Sequence, residues 1–344
     1  RYDAREFVFP MSATKQLTED ELMNESDDSL SFARNEIFAR HGKQFDDYYL
    51  QCYFDSCSWY TGTSADIGAE ALNETEAYNV ELIKKAEEDY QASHPYPKKV
   101  LCGDSVNETL CTELGMQVID YRVSGDADTG SYDGIITIDG QDFKLSDFGI
   151  DPEVPDEEEF FITDINPYLD GLEIAILDFG NNDFNTTYFF GYAADQKLYY
   201  IGEVPGCPFK GVASASCNGF ADEGAVIGTV RTDLLETASV YVSYWYDYDG
   251  KALVEQDAGC RKMVPSEAHE LYMDLPVYNS MDENSDTVLL KAQKEVYFMK
   301  NDNREWIAVK GKDGVEGYIH VNDGVITNIG EDAANVFSGL GFSG

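Results

Sequence analysis

The stretch that decides the N-terminal fold is Leu30-Ser31-Phe32-Ala33-Arg34-Asn35-Glu36-Ile37-Phe38-Ala39-Arg40-His41-Gly42. Its apolar side chains fall on one stripe at helical spacing: Leu30, Ala33 (or Phe32), Ile37 and Phe38. Ser26 or Asp27 can cap the start of such a helix, and Gly42 stands where helices commonly stop. The pattern therefore predicts a helix over about residues 27–41.

Four ionisable side chains lie within about two turns of this predicted helix: Arg34, Glu36, Arg40 and His41. The two arginines are six residues apart, so they diverge by roughly 120° around the helix axis. A histidine near a carboxylate can act as a general base, but no nucleophile of a known type stands beside His41. Each arginine offers five donors that suit bidentate pairing. We predict a structural network that holds the helices together, with an anion or carboxylate site as the alternative.

The second half of this helix and the residues that follow it carry a family resemblance. The run 33–42 is followed by spaced apolar and aromatic residues: Phe45, Leu50, Tyr53-Phe54 and Trp59-Tyr60. This pattern resembles the YARHG domain, and the resemblance covers about residues 6–92. Phe38 stands where the family usually has tyrosine, which removes a hydroxyl. The resemblance implies a small extracellular module of bacterial surface proteins, and it implies no reaction because the family has no established activity.

The chain is strongly acidic. Its 344 residues include 24 Lys and Arg against 65 Asp and Glu, which gives a formal net charge of −41. The apolar fraction of 43% is ordinary for a globular protein, so the acidity does not indicate disorder. A field of this sign repels phosphate backbones and anionic lipid headgroups, which argues against binding to nucleic acid or membrane surfaces. An extracellular or acid-tolerant soluble protein is the main interpretation, and attraction to cations or basic partners is the alternative.

The termini and the cysteines indicate export. No apolar run of about 18 residues appears, so we expect no transmembrane segment in this sequence. Because it begins at Arg1 and not at a methionine, we expect a mature or trimmed product from which any targeting segment is missing. Three neighbouring cysteine pairs are spaced for short local disulfides, although other pairings fit equally well: Cys52/Cys57, Cys102/Cys111 and Cys207/Cys217, with Cys260 left over. With four histidines and no Cys-x-x-Cys motif, zinc is disfavoured. Oxidised pairs suit an extracellular or cell-envelope protein.

We predict a multidomain α+β chain that begins with a helical module at 1–95. Its helices start at the Thr18–Glu21 capping box, at about 27, at about 46 and at about 73. An all-β domain follows over 98–265, where Asp-Gly turn signals separate short apolar runs. Its clearest strands are 134–138, 173–177, 187–192, 197–201 and 240–246. The acidic segment 151–159 is expected to be an exposed loop between two strands.

Residues 268–328 again alternate between apolar and polar, with Asp313-Gly314 as a hairpin turn. Five short strands are predicted, within 275–278, 287–290, 295–298, 305–309 and 316–321. Trp306 and the run Gly317-Tyr318-Ile319-His320 resemble the bacterial SH3-like domain. That resemblance implies a small β-barrel that binds cell-wall peptides or acts as a spacer. The Gly-rich tail 329–344 is expected to be loosely ordered apart from a short turn near Ala333.

The candidate metal site is the stretch from Asp164 to Glu173, which resembles the calcium loops of bacterial adhesins. Calcium takes six to eight oxygen ligands, and four are available around a glycine turn: Asp164, Asn166, Asp170 and Glu173. Asp170 comes two residues late for such a loop and Glu173 one residue early, and the pattern occurs once. The alternative is a strand–turn–strand in which the acids cap backbone N–H groups. No cofactor other than calcium is expected.

Aromatic side chains are the candidate ligand contacts. They are Trp306 and Tyr318 in the last module and Tyr244 and Tyr246 in the all-β domain. Aromatic rings stack on the apolar faces of sugars, and tyrosine adds a hydrogen-bonding hydroxyl. Because successive residues of a strand point to opposite faces, half of the 241–248 run must face inward. Core packing is therefore the alternative for these rings.

The chain contains none of the common catalytic fingerprints. It has no nucleophile elbow, phosphate loop, His-Glu-x-x-His helix or dinucleotide motif. Paired carboxylates are too numerous here to indicate glycoside hydrolysis. We therefore expect an exported bacterial surface protein of a non-catalytic, ligand-binding type, with a cell-wall, glycan or peptide ligand. A hydrolase of envelope polymers and a structural spacer are the alternatives.

Overall fold

The computed structural model describes residues 7–23, 25, 27–45, 48–93, 96–126, 131–165, 171–180, 185–206, 220–221, 225–232, 235, 239–247, 252–256, 259–264 and 266–340. The N-terminal region is helical and the remainder is mostly β-sheet, as expected. The chain divides into two compact units: Arg1–Ala92 with Arg231–Tyr241 and Asp257–Gly344, and Ser93–Val230 with Val242–Gln256. The helical module and the C-terminal strands belong to one unit, and the boundaries of the three predicted modules stay a prediction.

The helices follow the capping signals closely. Their bounds are α1 Glu19–Leu22, α2 Asp27–Arg40, α3 Tyr48–Asp55, α4 Glu74–Ser93 and α5 Ala333–Val336. The expected capping box forms at α1, where Glu21 accepts a hydrogen bond of 3.0 Å from the Thr18 N–H. Gly42 adopts a φ of +87°, the left-handed conformation that stops α2. None of the helices that the structure describes has the length and apolar composition needed to cross a bilayer.

Helix α2 is buried on two sides, not along the single stripe that was predicted. One side, with Leu30, Ala33 and Ile37, packs against α1 and α4. Another side, with Phe32 and Ala39, packs against the aromatic residues of α3. Phe38 was expected on the stripe but is only half-buried. Hydrophobic spacing does not reveal the second side, because it depends on where α3 lies relative to α4.

The strands of the second unit form three sheets. They are β1 Lys98–Leu101, β2 Val106–Cys111, β3 Gly115–Asp126, β4 Ser131–Ile138, β5 Gln141–Lys144, β6 Glu159–Thr163, β7 Glu173–Asp178, β8 Thr186–Tyr192, β9 Leu198–Pro205, β10 Phe220–Ala221, β11 Ala225–Arg231, β12 Ser239–Asp247 and β13 Ala252–Glu255. The sheet orders are β1-β6-β7-β8-β9, β2-β3-β4-β5 and β10-β11-β12-β13. All the strands predicted above for this region are present.

The sheet of β1 and β6–β9 is the middle layer of the second unit. One of its faces, with Ile174 and Phe190, packs on the β2–β5 sheet. The other face, with Ala175 and Phe189, packs on the β10–β13 sheet. Strands β6, β7 and β8 are therefore covered on both sides, which explains why their sequences are almost continuously apolar.

The acidic segment 151–159 lies between β5 and β6 as predicted, and Asp151, Glu153, Val154, Glu157 and Glu158 are exposed, but its other four residues are buried. Asp156 is only 3% exposed, and its N–H donates to the Leu177 carbonyl at 2.8 Å. Asp178 accepts from the N–H groups of Glu153 and Val154 at 3.1 and 2.7 Å. The segment therefore runs along the end of β7, because buried carboxylates and backbone donors satisfy one another there.

Two of the local disulfides suggested by spacing are also wrong. Four described cysteines are thiols: Cys57, Cys102, Cys111 and Cys260. The thiol of Cys57 donates to the Tyr53 carbonyl inside the α3 cluster at 3.5 Å. Cys52/Cys57 and Cys102/Cys111 thus do not form, since closeness in sequence does not by itself give disulfide geometry. Cys207 and Cys217 lie outside the described residues.

The C-terminal strands of the first unit form one sheet. They are β14 Arg261–Lys262, β15 His269–Glu270, β16 Leu275–Tyr278, β17 Thr287–Leu290, β18 Glu295–Asn301, β19 Trp306–Gly311, β20 Glu316–Asn322, β21 Val325–Ile326 and β22 Glu331–Asp332. The main path is β14-β18-β19-β20-β16-β17. All five predicted strands are present, with Asp313-Gly314 between β19 and β20. The strands that the structure describes do not close into a barrel.

The C-terminal tail is packed, so the expectation of loose order is wrong for residues 331–338. Phe337 is 1% exposed and forms a β-bridge with Leu271. Ser338 and Glu270 exchange hydrogen bonds, including Ser338 N–H to the Glu270 carbonyl at 2.9 Å. The tail is ordered because Phe337 contributes an aromatic ring to the core, packed against Phe298 with centroids 5.0 Å apart.

Tyr121 provides the first testable prediction. Its buried hydroxyl has no hydrogen-bond partner among the described residues, whereas Tyr188 in the same core donates to Asp178 at 3.1 Å. We expect Tyr121→Phe to raise the free energy of unfolding by about 1 kcal/mol, because it removes an unsatisfied polar group. Tyr188→Phe, the matched control, should lower it by about 1 kcal/mol. Urea denaturation measures both. A destabilised Tyr121→Phe protein would show that the hydroxyl has a partner such as an ordered water.

Candidate functional site

Arg40 connects the N-terminal segment to α2. Its guanidinium donates to Ser12 Oγ at 2.8 Å and to the Phe9 carbonyl at 2.9 Å, and it pairs with Glu36 one turn earlier. The same group lies over the ring of Phe7, 4.5 Å from its centroid. The planar fork of the guanidinium therefore has its partners inside the helical module.

Glu36 is the buried partner of this arginine. Its side chain is 2% exposed, and its Oε2 accepts from the Val8 N–H at 2.6 Å. Burial raises the pKa of Glu36 to about 7, with the Arg40 charge and backbone hydrogen bonds acting in the opposite direction. The ionised form of Glu36 therefore depends on Arg40, since a buried carboxylate without its cation is costly.

His41 connects the end of α2 to the start of α4. Its Nε2 lies 3.0 Å from Glu76 Oε2, and the same oxygen accepts from the Asn73 N–H at 3.0 Å. Asn73 Oδ1 in turn accepts from the N–H groups of Thr75 and Glu76. His41 thus contacts the capping box that begins α4.

Arg34 reaches the later part of α4, where its Nε donates to Glu87 Oε2 at 2.7 Å. Arg34 and Arg40 therefore contact different elements, as their divergence around α2 requires. Arg34, Glu36, Arg40 and His41 thus all have contacts within the helical module. A structural role for this network stays a prediction.

Lys312 brings the C-terminal sheet to the helical module within the same unit. Its Nζ donates to the carbonyl of Asp55, the last residue of α3. The ammonium also lies 5.9 Å from the Tyr60 ring centroid and 5.8 Å from that of Tyr297. A cation is favoured at the C-terminal end of a helix. The Tyr297 region of the sheet is thus in contact with the helical module.

A second group of side chains, which we name the aromatic face, lies on one side of the C-terminal sheet: Tyr278, Trp306, Tyr318 and His320. In the strand register Trp306 faces His320, and Tyr318 faces both Ala308 and Tyr278. The Trp306 ring centroid is 4.7 Å from that of His320 and 5.5 Å from that of Tyr278. Trp306 and Tyr318 are half-exposed, while Tyr278 and Ala308 are buried.

Two glutamates contact the histidine of the aromatic face. His320 Nδ1 lies 3.0 Å from Glu283 Oε1 and 2.8 Å from Thr327 Oγ1, and Nε2 lies 3.1 Å from Glu305 Oε2. Glu283 comes from the segment between β16 and β17, and Glu305 from the turn between β18 and β19. Burial, reinforced by Glu283, raises the pKa of Tyr278. Carboxylates thus lie on both edges of the imidazole ring.

The turn that carries Glu305 is held by a single carboxylate. Asp302 Oδ1 accepts from the N–H groups of Arg304, Glu305 and Trp306 at 2.9, 3.0 and 2.9 Å. Three backbone donors on one oxygen constrain the path of the chain into β19. The position of Glu305 beside the aromatic face is therefore set by the backbone.

The predicted ligand contacts of the all-β domain lie elsewhere. Tyr244 packs against the core cluster between the β1/β6–β9 sheet and the β10–β13 sheet. Tyr246 is two residues further along β12, and its side chain lies outside the described residues. Of the four aromatic candidates, Trp306 and Tyr318 are brought together on one face, and Tyr244 is not part of it.

Two of the four predicted calcium ligands are described. Glu173 begins β7 and is 8% exposed, and its Oε2 accepts from the Ile165 N–H at 3.0 Å. Burial raises the pKa of Glu173 to about 8, and neighbouring Asp164 adds to the increase. Asn166 and Asp170 lie outside the described residues. Among the residues that the structure does describe, no group of three or more His, Cys, Asp or Glu side chains is placed to hold a metal ion.

The sequence pattern does not predict Tyr278, His320, Glu283 and Glu305 as members of a site. One signal could have found His320: a hairpin centred on Asp313 places residue 306 opposite residue 320. The glutamates carry no such signal, because the turns that hold them meet the histidine only in the folded sheet.

Comparison with known proteins identifies one part of the chain. No curated protein matches it, and neither does any solved structure. The family model of the YARHG domain matches residues 5–88. This match confirms the resemblance indicated by residues 33–60, and it places an extracellular-type domain of uncertain function at the N-terminal end of the chain.

Proposed function

We propose that this protein is an exported bacterial cell-surface protein, of the lipoprotein or wall-associated type, that binds its ligand on the aromatic face without catalysing a reaction. The observation that carries the proposal is the pair of partly exposed rings, Trp306 and Tyr318, on one face of a sheet. Tryptophan and tyrosine supply most of the contact energy at many binding sites.

The organisation of the helical module supports this location. Arg34, Arg40 and His41 have partners within the module, namely Glu87, Glu36 and Glu76. A ligand that used these side chains would have to displace hydrogen bonds and ion pairs that connect the module's own segments. The rings of Trp306 and Tyr318 are partly exposed, so a ligand can contact them without displacing those pairs.

We also propose that residues 268–328 are related to the bacterial SH3-like domain. The support is the run of five short strands from β16 to β20 and the Gly317–His320 sequence on β20. Under this proposal the aromatic face is the ligand-binding side of an SH3-like sheet. The helical module contacts the same sheet near Tyr297.

Sedimentation with purified peptidoglycan, together with a glycan array, tests the proposed function. We expect Trp306→Ala and Tyr318→Ala to weaken binding at least 10-fold, because each removes a stacking surface. Tyr272→Ala is the matched control, since Tyr272 is 58% exposed and lies outside the aromatic face, and it should bind normally. The proposal would be overturned if the Trp306→Ala variant bound as tightly as the wild type, or if the wild type did not bind at all. Release of soluble fragments from the peptidoglycan would also overturn it, in favour of a hydrolase.

Calcium binding at residues 164–173 is a separate proposal. Its support is the buried Glu173 carboxylate beside Asp164, because a cation there would compensate charge that burial disfavours. We expect added calcium to raise the melting temperature by several degrees and a chelator to reverse the change. Asp164→Asn should abolish the response, and Asp195→Asn, an exposed control, should keep it. If neither calcium nor the chelator changed the melting temperature, the proposed calcium site would be refuted.

A further inference from the structure

We propose that the aromatic face recognises a cationic peptide through a lysine-type ammonium group. The inference rests on the proposed function, because it concerns the same face. It goes further by naming the chemical class of the ligand.

The first argument is charge complementarity. The side chains of Glu283, Glu305 and Glu316 lie along the aromatic face and are about half exposed, at 55%, 60% and 49%. The nearby Lys310 is buried and already paired with Glu316 at 3.0 Å. A positively charged ligand would meet exposed carboxylates here, and the net charge of −41 would attract it from a distance.

The second argument comes from the way His320 is held. Its ring lies 4.7 Å from Trp306, with an acceptor at each nitrogen. Glu283 and Thr327 face Nδ1, and Glu305 faces Nε2. A neutral imidazole donates from one nitrogen, and the Thr327 hydroxyl donates to Glu283 Oε1 at 3.4 Å. The protein thus already places hydrogen-bond donors beside these two acids and against a tryptophan ring.

The two glutamates and the Trp306 ring surround one imidazole, which lies 4.7 Å from the tryptophan ring. An ammonium group favours such surroundings, since it can donate to a carboxylate and lie over an aromatic face. The aromatic face therefore suits a lysine-type ligand.

The test uses the full chain and two synthetic probes, a capped Gly-Lys-Gly tripeptide and the same peptide acetylated on the lysine side chain. The Trp306 indole N–H resonance follows binding at pH 8. We expect the acetylated probe to bind at least 10-fold more weakly than the unmodified probe.

Variants distinguish the contribution of the carboxylates on this face from that of the overall negative charge of the chain. Glu283→Gln with Glu305→Gln should reduce affinity for the lysine probe at least 10-fold. A control pair, Glu113→Gln with Glu267→Gln, removes two exposed acids outside the aromatic face and should bind normally. Amide spectra of each variant establish that it is folded.

The outcomes distinguish this inference from the proposed function. Equal binding of the acetylated and unmodified probes, or equal losses in the control pair and the Glu283/Glu305 pair, would overturn the cationic ligand. Trp306-dependent binding of peptidoglycan or a glycan could still stand in that case. If no probe, glycan or wall polymer bound in a Trp306-dependent manner, the proposed function would fail together with the inference.

Discussion

Replacing Arg40 with alanine is expected to destabilise the helical module by about 3–5 kcal/mol, the cost of breaking a buried ion pair by removing one partner. The Arg40 side chain is 14% exposed and that of Glu36 is 2% exposed. The substitution leaves the Glu36 carboxylate without its cation and removes the donors to Ser12 and Phe9. Urea denaturation followed by near-ultraviolet circular dichroism measures the loss, because Trp59 packs against Phe7 below the guanidinium.

Two further variants make this expectation specific. Glu36→Gln added to Arg40→Ala should restore part of the stability, since glutamine still accepts from the Val8 N–H without a buried charge. The destabilisation by Arg40→Ala should be larger at pH 8 than at pH 5, because a Glu36 with a raised pKa can take up a proton in mildly acidic solution. Arg34→Ala, which removes a single contact from a side chain 33% exposed, should cost about 1 kcal/mol or less. An Arg40→Ala protein as stable as the wild type would refute the structural network.

Glu173 is expected to make the second unit lose stability as the pH rises from about 4.5 towards 8. Burial raises the pKa of Glu173 from 4.5 to about 8, so the folded state holds a proton that the unfolded state releases. The contribution is fully present below the unfolded pKa and is lost as the pH passes through the folded pKa. At about 1.4 kcal/mol per pKa unit, the change amounts to roughly 3–5 kcal/mol.

Glu173→Gln should remove this slope, because glutamine keeps an acceptor for the Ile165 N–H but cannot ionise. Urea titrations at pH 5, 7 and 9 measure the free energy of unfolding and therefore this slope. Trp245 fluorescence reports on the second unit, because Trp245 is the only one of the three tryptophans that lies within the bounds of that unit. Glu157→Gln is the matched control, since Glu157 is exposed in the same unit and its loss should leave the slope unchanged. A wild-type protein equally stable at pH 5 and pH 9 would contradict the expectation. If calcium binds at 164–173, saturating calcium should flatten the slope, because the metal requires ionised Glu173.

Much of the secondary structure was predictable because its signals are local. The Thr18–Glu21 capping box, the apolar spacing of α2 and the Asp313-Gly314 turn each act over a few residues. The strands of the C-terminal sheet were predictable for the same reason. The exposure of the acidic segment 151–159 was predictable only in part, because Asp156 becomes buried where the segment meets the end of β7.

The candidate site was predictable only in part. The sequence predicts Trp306 and Tyr318 as ligand contacts, and both lie on the aromatic face. No local signal connects Glu283 and Glu305 with His320. These three come together because the segments after β16 and β18 both turn towards β20. Tyr244 was selected by the same aromatic rule, but it packs in a core.

The amino-acid sequence by itself determined the YARHG domain, the position of α2 and the alternation that makes the C-terminal region a sheet, since these depend on spacing and capping within short stretches. Tertiary structure alone decided which partners the ionisable residues of α2 have, because Ser12, Glu76 and Glu87 are far from them in sequence. It also decided that two glutamates from separate turns lie on either side of one imidazole against a tryptophan ring. Pairings over such distances depend on how strands and helices pack, and short-range pattern carries no information about that packing.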